Sequence, residues 1–261
     1  MKRILIAILS LSLIMCSLVG CSSKDKNNDD DNKRIEVDSS DVKRSNKNNN
    51  RIVVIDAGHQ EAPINELEPI GPNSDKKKPK LASGATGVST NIPEYQLTLD
   101  VSLKLRDELI KRGYDVKMIR ENNNFPKSNR ERAIIANSYG KNKDSIFLRI
   151  HANSISDSNV TGALTMGPSD DNPYMSKENI EKSKLLSVDV IEEMTKSTDS
   201  MDKGIILTNE MSGINWCEIP VTIVEMGFLS NPEEDRLMNS KDYQKLISSG
   251  IANGVDKYFN N

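Results

Sequence analysis

The chain has 261 residues, 28% of them charged, with a formal net charge of −3 at pH 7. Its pI near 5.6 leaves no basic field that would argue for nucleic acid, and an aromatic content of 4% offers no stacking platform for bases or sugars. Three cysteines are too few and too scattered for a disulfide framework or a cysteine-based zinc knuckle.

Met1-Lys2-Arg3 is a basic start, and the apolar run Ile4 to Val19 is shorter than a comfortable membrane span. It ends in Leu18-Val19-Gly20-Cys21, which resembles the lipobox of bacterial lipoprotein signals, where small residues precede the cysteine that is lipidated. An ordinary secretory signal or a short anchor helix is the alternative. On the lipoprotein reading residues 1–20 are a signal peptide, Cys21 carries the lipid and Cys217 remains as a lone thiol. Residues 22–50 are dominated by Asp, Asn, Lys, Ser and Arg, with Ile35, Val37 and Val42 as the apolar exceptions. Such a segment cannot bury enough surface to offset chain entropy, so 21–50 reads as a lipidated, disordered tether and 51–261 as one folded domain.

Within that domain, Arg51 to His59 (RIVVIDAGH) reads as a first strand and its closing turn. Gln60 to Thr90, with Pro63, Pro69, Pro72 and Pro79, reads as a long irregular loop rimming whatever site lies at the strand's end. Asn91-Ile92-Pro93-Glu94 opens a helix, with Pro93 at its first position, Leu97, Val101, Leu105 and Leu109 as the apolar stripe, and Gly113 beyond its end. Tyr114 to Arg120 is a second strand. A helix follows from Ser128 to Tyr139, where Ser128 and Glu131 form a capping-box pattern. Ile146 to His151 is the central strand, and Ala163 to Gly167 a short one. The helix Ser176 to Lys196 is expected to bury Ile180, Leu185, Val188, Ile191 and Met194. Gly204 to Thr208 and Ile219 to Phe228 are further strands, a short helix starts after Ser230, and Tyr243 to Phe259 closes the chain as an amphipathic helix. Strands alternating with helices predict an α/β fold: one three-layer domain, a mostly parallel twisted sheet of about six strands, helices on both faces.

The chain has two histidines, His59 and His151, and each stands at the downstream end of a β-branched apolar segment. Ligands of open α/β sheets bind beyond the carboxyl ends of the strands, and two neutral imidazoles brought together there suit zinc. Each histidine taken alone reads more simply as a hydrogen-bonded strand-end residue, and it is the pair in equivalent positions that brings the metal reading level. Glu94, at the start of the helix after the first strand, is placed to join them, although a carboxylate there is also simply favoured by the helix dipole. Glu225 lies inside an apolar strand, where a carboxylate is costly unless it is paired, protonated or near a cation. It reads either as a base beside a metal or as the partner of Arg149 or Arg132. Arg149 shares a strand face with His151. Cys217, beside Trp216, reads as a buried structural thiol.

In order along the chain, DAGH at Asp56 to His59, the Pro93-Glu94 helix start, RxxIAN at Arg132 to Asn137, IHAN at Ile150 to Asn153 and VEMGFLSNPEE from Val224 resemble the zinc-dependent N-acetylmuramoyl-L-alanine amidases, bacterial cell-wall hydrolases of the autolysin type. The resemblance spans Arg51 to about Phe259. It implies one Zn²⁺ held by His59, Glu94 and His151, with Glu225 as catalytic base and then acid. Arg149 is implicated in holding an oxyanion or a peptide carboxylate, with a structural ion pair as the alternative, and Asp56 and Asn153 in orienting the histidines. The implied substrate is peptidoglycan, at the amide between N-acetylmuramic acid and L-alanine of the stem peptide. The chain departs from the family pattern at Ala57 and at Gln60-Glu61 around the first histidine, in the length of Gln60 to Thr90, and at Arg149, where a small residue is usual. The expected setting is a monomer on the outer face of the bacterial membrane, anchored through Cys21, with a protein activator as a further candidate partner and no nucleic acid. A non-catalytic wall-binding lipoprotein of the same fold and a zinc peptidase cutting within the stem peptide are the competing readings.

Overall fold

A computed structural model describes Asn48 and residues 50–261. The stretch expected to be a signal peptide, Cys21 as its expected lipidation site, and nearly all of the expected tether lie outside the described residues. The body reaches slightly upstream of Arg51, because Asn48 donates to the Arg112 carbonyl at 3.0 Å.

Among the described residues eight strands and six helices follow in order: β1 (Ile52–Ala57), β2 (Ile64–Pro69), β3 (Lys77–Leu81), α1 (Glu94–Lys111), β4 (Asp115–Met118), α2 (Asn129–Gly140), β5 (Ser145–Asn153), β6 (Ala163–Pro168), α3 (Lys177–Thr198), β7 (Asp202–Thr208), α4 (Ser212–Asn215), β8 (Val221–Phe228), α5 (Pro232–Met238) and α6 (Lys241–Asn260). The main sheet has six strands in the order β4-β1-β5-β8-β6-β7. All neighbouring pairs are parallel except β6 with β8, so the expected mostly parallel α/β sheet is present. β5 and β8 run side by side at its centre, with His151 opposite Glu225.

Period-two alternation sorts the central strands onto two cores. Val53, Ile55, Ile146, Leu148, Ile150 and Val224 pack against α1, α3 and α6. Ile52, Val54, Phe147, Val221 and Ile223 face the other way, against α2 and α4. The α1 stripe falls where its period predicts, with Leu97, Val101, Leu105 and Leu109 all fully buried. Each such side chain contributes about 1.5–3 kcal/mol. Pro93 is the residue before the helix rather than its first turn, leaving Glu94 as the first helical residue. The capping box of α2 forms, with Ser128 Oγ accepting from Glu131 N and Glu131 Oε2 from Ser128 N.

Two expectations are corrected. Gln60 to Thr90 is not irregular throughout: β2 and β3 pair as an antiparallel hairpin with a register shift between Ile64 and Leu67. A two-stranded ribbon consists only of edges, where Pro69 and Pro79 cost no ladder bond, so its prolines and lysines hid it. On α3 the buried face is rotated: Leu185 is 41% exposed, while Leu186 and Val190 are fully buried. Two buried serines turn it. Ser183 Oγ accepts from Val221 N and Ser187 Oγ donates to Thr222 Oγ1 on β8, so polar residues occupy part of the face that an apolar count assigns to the core.

Candidate metal centre

His59 stands two residues past the end of β1 in a left-handed conformation, φ 60°. Several contacts fix that turn. Gly58 N donates to Ile150 O and its own carbonyl accepts from Thr98 Oγ1, both at 2.8 Å. Arg132 Nη2 donates to His59 O at 3.1 Å. A side chain at position 58 is excluded, because a Cβ there would lie 2.5 Å from His151 Cε1; the glycine lets the turn lie against the second imidazole. His151 projects from the last residues of β5. Glu94 arrives because its backbone N–H donates to Ala85 O at 2.9 Å, seating the start of α1 over the ends of β1 and β5.

Three side-chain atoms converge. His59 Nε2 lies 3.1 Å from both His151 Nδ1 and Glu94 Oε1, and His151 Nδ1 lies 3.2 Å from Glu94 Oε1. Ligands about 2.0–2.1 Å from a tetrahedral zinc are separated from one another by roughly 3.3 Å, close to this triangle. His59 Nδ1 lies 2.9 Å from Ala82 O, which assigns its proton to that nitrogen and leaves the Nε2 lone pair facing the other two acceptors. Three lone pairs meeting at one point repel unless a cation or a proton sits among them. The other Glu94 oxygen accepts from Ala85 N at 2.9 Å, and Oε1 also accepts from Ala152 N at 3.1 Å, so the carboxylate is held from two sides. The donor set fits a zinc ion with a position left open. Among the described residues this is the one group of three acid, histidine or cysteine side chains placed to share an ion.

The electrostatics agree. Burial, aided by the charge of His59, lowers His151 to about 4 despite the Glu94 carboxylate, keeping the imidazole neutral, as a ligand must be. Burial works against a proton on His59 too, but Glu94 outweighs it and the value lies above the ordinary one. Burial alone would raise Glu94, yet hydrogen bonds to His151 and His59 hold it well below the carboxylate range. The cluster therefore draws positive charge.

Glu225, opposite His151 on β8, makes no ion pair with either arginine: its Oε2 is buried without a hydrogen-bond partner among the described residues. Burial first, and then the Glu94 charge, push it up to about 8. A carboxylate in that state is suited to taking and returning a proton near neutral pH.

Asp56 and Asn153 do not orient the histidines. Asp56, fully buried, instead binds Arg132 Nη1 at 2.7 Å and Arg149 Nε and Nη2 at 3.1 and 3.0 Å. Burial raises its pKa, but Arg132 and Arg149 more than compensate and it falls to about 2. Asn153 Oδ1 accepts from the next backbone N–H. The orienting group for His59 is the Ala82 carbonyl, which composition and spacing cannot reveal because any residue carries one. Cys217 is buried and free, its thiol donating to Gly213 O.

A cleft of about 320 Å³ opens from His59, His151 and Glu225. One wall is the hairpin, with Lys78, Pro79 and Leu81; the other is the segment Glu210 to Gly213; Arg149, Asn129 and Ile223 lie along it. Lys76 Nζ and Lys78 Nζ reach across the rim to Glu210.

The sequence profile described as N-acetylmuramoyl-L-alanine amidase (Amidase_3) matches residues 53–257. A Bacillus subtilis (strain 168) protein named Uncharacterized protein YqiI is 26% identical over 177 residues, 68% of this chain and 79% of its own length. The crystal structure of the amidase Ami1 from Mycobacterium smegmatis superposes with a TM-score of 0.71 at 24% identity, covering 80% of this chain and 97% of Ami1. The CwlD amidase of Clostridioides difficile, solved in complex with the GerS lipoprotein, matches with a TM-score of 0.63 at 24% identity over 81% of this chain and 99% of that one. At such identities the structural likeness speaks for the fold.

Proposed function

Because this chain belongs to the N-acetylmuramoyl-L-alanine amidase family, we propose that it hydrolyses the amide between the lactyl group of N-acetylmuramic acid and L-alanine of the stem peptide, using one zinc ion held by His59, Glu94 and His151. The observation that carries this reading is the convergence of His59 Nε2, His151 Nδ1 and Glu94 Oε1 at 3.1–3.2 Å from one another with Glu225 on the adjoining strand. Zinc bound there supplies a Lewis acid that polarises a carbonyl and acidifies water. Glu225 takes the proton of the attacking water and delivers it to the departing L-alanine amine. Glu225 lines the cleft beside His59 and His151, and no protein group among the described residues competes for its Oε2. The hairpin and the Glu210–Gly213 segment wall the cleft and hold the peptide beside the reacting carbonyl.

The lipobox-like Leu18 to Cys21 supports anchoring through a lipidated Cys21, which puts the catalytic body outside the cytoplasmic membrane, facing the wall. No helix among the described residues is long and apolar enough to cross a membrane. CwlD, bound to a lipoprotein, supports asking whether a protein partner acts on this chain too.

Incubating the purified protein with peptidoglycan sacculi and zinc, and reading the products by mass spectrometry, tests the proposal. Intact stem peptides with a free L-alanine amine and peptide-free glycan are expected. Glu225→Gln is expected to lower kcat by about 10²–10⁴ with metal content unchanged. Cuts inside the stem would transfer the chain to the peptidases, and no release at all would make it a binding protein.

A further inference from the structure

Arg149 occupies a strand position from which it lines the catalytic cleft, yet it is only 3% exposed. Its Nε and Nη2 are committed: both donate to Asp56 Oδ2, and Nη2 donates to Asn129 Oδ1 at 2.7 Å. Nη1 has no hydrogen-bond partner among the described residues. It is not among the fully buried unpaired atoms either, so it keeps some access to the cleft that Arg149 lines. Gly213 makes room for it, because a Cβ at that position would lie 1.6 Å from Nη1.

The charge around it is unbalanced. Arg132 and Arg149, both buried, share the single carboxylate of Asp56, so this pair of cations is only half neutralised by its direct partner. Glu225, another carboxyl lining the cleft near Arg149, makes no ion pair with it. Buried charge is costly unless paired, and a guanidinium clamped on one edge with a terminal nitrogen free is preorganised to receive an anionic oxygen.

From these observations we infer that Arg149 is a specificity-determining residue whose Nη1, beside Gly213, binds a carboxylate on the stem residue that follows L-alanine. The inference rests on the amidase reading and adds to it which wall peptides are preferred. The spacing suits it. Arg149 and His151 lie one pleat repeat apart on β5, about 6.6 Å, and two residues of extended peptide span at most about 7 Å. A stem peptide running extended along β5 from a carbonyl at the His151 end would bring the α-carboxylate of the residue after L-alanine level with Arg149. Asp56 and Asn129 act as positioning residues, holding the guanidinium flat along the floor.

Two muramyl peptides test it, alike except that the second stem residue is D-isoglutamate in one, with a free α-carboxylate, and D-isoglutamine in the other, where that group is an amide. Wild-type protein loaded with zinc is expected to favour the free acid by about ten- to a hundredfold in kcat/KM, mostly through KM. In Arg149→Gln, and separately in Gly213→Ala, which drives Nη1 out of the cleft while keeping the arginine, the ratio is expected to fall toward one. A merely structural role for Arg149 would depress both substrates alike and leave the ratio where it was. Equal cleavage of the two peptides by wild type overturns the carboxylate assignment alone, as does a preference that survives in both variants. If wild type cleaves neither peptide, the amidase reading falls and takes the assignment with it.

Discussion

Replacing Arg132 by methionine keeps most of the side-chain volume and removes the charge beneath the first histidine turn. Arg132 is fully buried. It donates to Asp56 Oδ1 at 2.7 Å and to the carbonyls of Ala57, His59 and Lys127 at 3.1 Å each. Breaking a buried ion pair from one side costs about 3–5 kcal/mol, because the remaining charge is stranded. Asp56 keeps Arg149 at 3.0 Å, which softens that penalty, while three carbonyls lose a donor at about 1 kcal/mol or more each. The two corrections oppose each other, so about 3–4 kcal/mol is expected. For a body of this size that lowers the melting temperature by roughly 6–16 °C. Urea denaturation followed by circular dichroism measures it, with the slope of the transition checked against wild type. A loss below about 1 kcal/mol would refute the reasoning, since it would place the Asp56–Arg132 pair in the energetic class of exposed ion pairs.

Acid stability tests the same cluster from the other partner. Asp56 has a folded value of about 2 against an ordinary 3.8, so its contribution, on the order of 2 kcal/mol, is complete above about pH 4 and lost as pH falls toward 2. Asp56→Asn is expected to flatten the stability–pH curve across that window, and an unchanged acid slope would contradict the assignment. The phase of α3 has its own pair of variants. Leu186→Ala should cost about 2–5 kcal/mol, and Leu185→Ala should stay within about 0.5 kcal/mol. A reversal would restore the face expected from the sequence.

The parts of the fold that rest on period and on local capping were legible in the sequence. The α1 stripe, the Ser128–Glu131 box and the apolar alternation of β1, β5 and β8 need only near neighbours, and the structure reproduces them. His59, Glu94 and His151, which the structure brings together, and Glu225 beside them could be singled out for a related reason: each stands at an element end or inside an apolar run, where a polar residue calls for explanation. What escaped depends on partners far along the chain. The β2–β3 hairpin is written in prolines and lysines that suit an edge, and its stability comes from docking, as when Trp216 Nε1 donates to Pro69 O and Asn129 Nδ2 to Lys80 O. The burial of Leu186 rather than Leu185 follows from Ser183 and Ser187 bonding to β8. Asp56 was expected beside the histidines, and only the fold shows two arginines closing on it, one from α2 and one from the neighbouring strand.

The central claim is that three side chains, far apart in sequence, hold one metal ion. Metal content by elemental analysis, on protein purified without chelator and after back-titration with zinc, tests it most directly in wild type, His59→Ala, Glu94→Ala and His151→Ala. The account predicts one zinc per wild-type chain and affinity weakened by at least about a hundredfold in each variant, with circular dichroism showing each still folded. Wild-type protein that takes up no zinc, or folded variants that bind it as tightly as wild type, would contradict it.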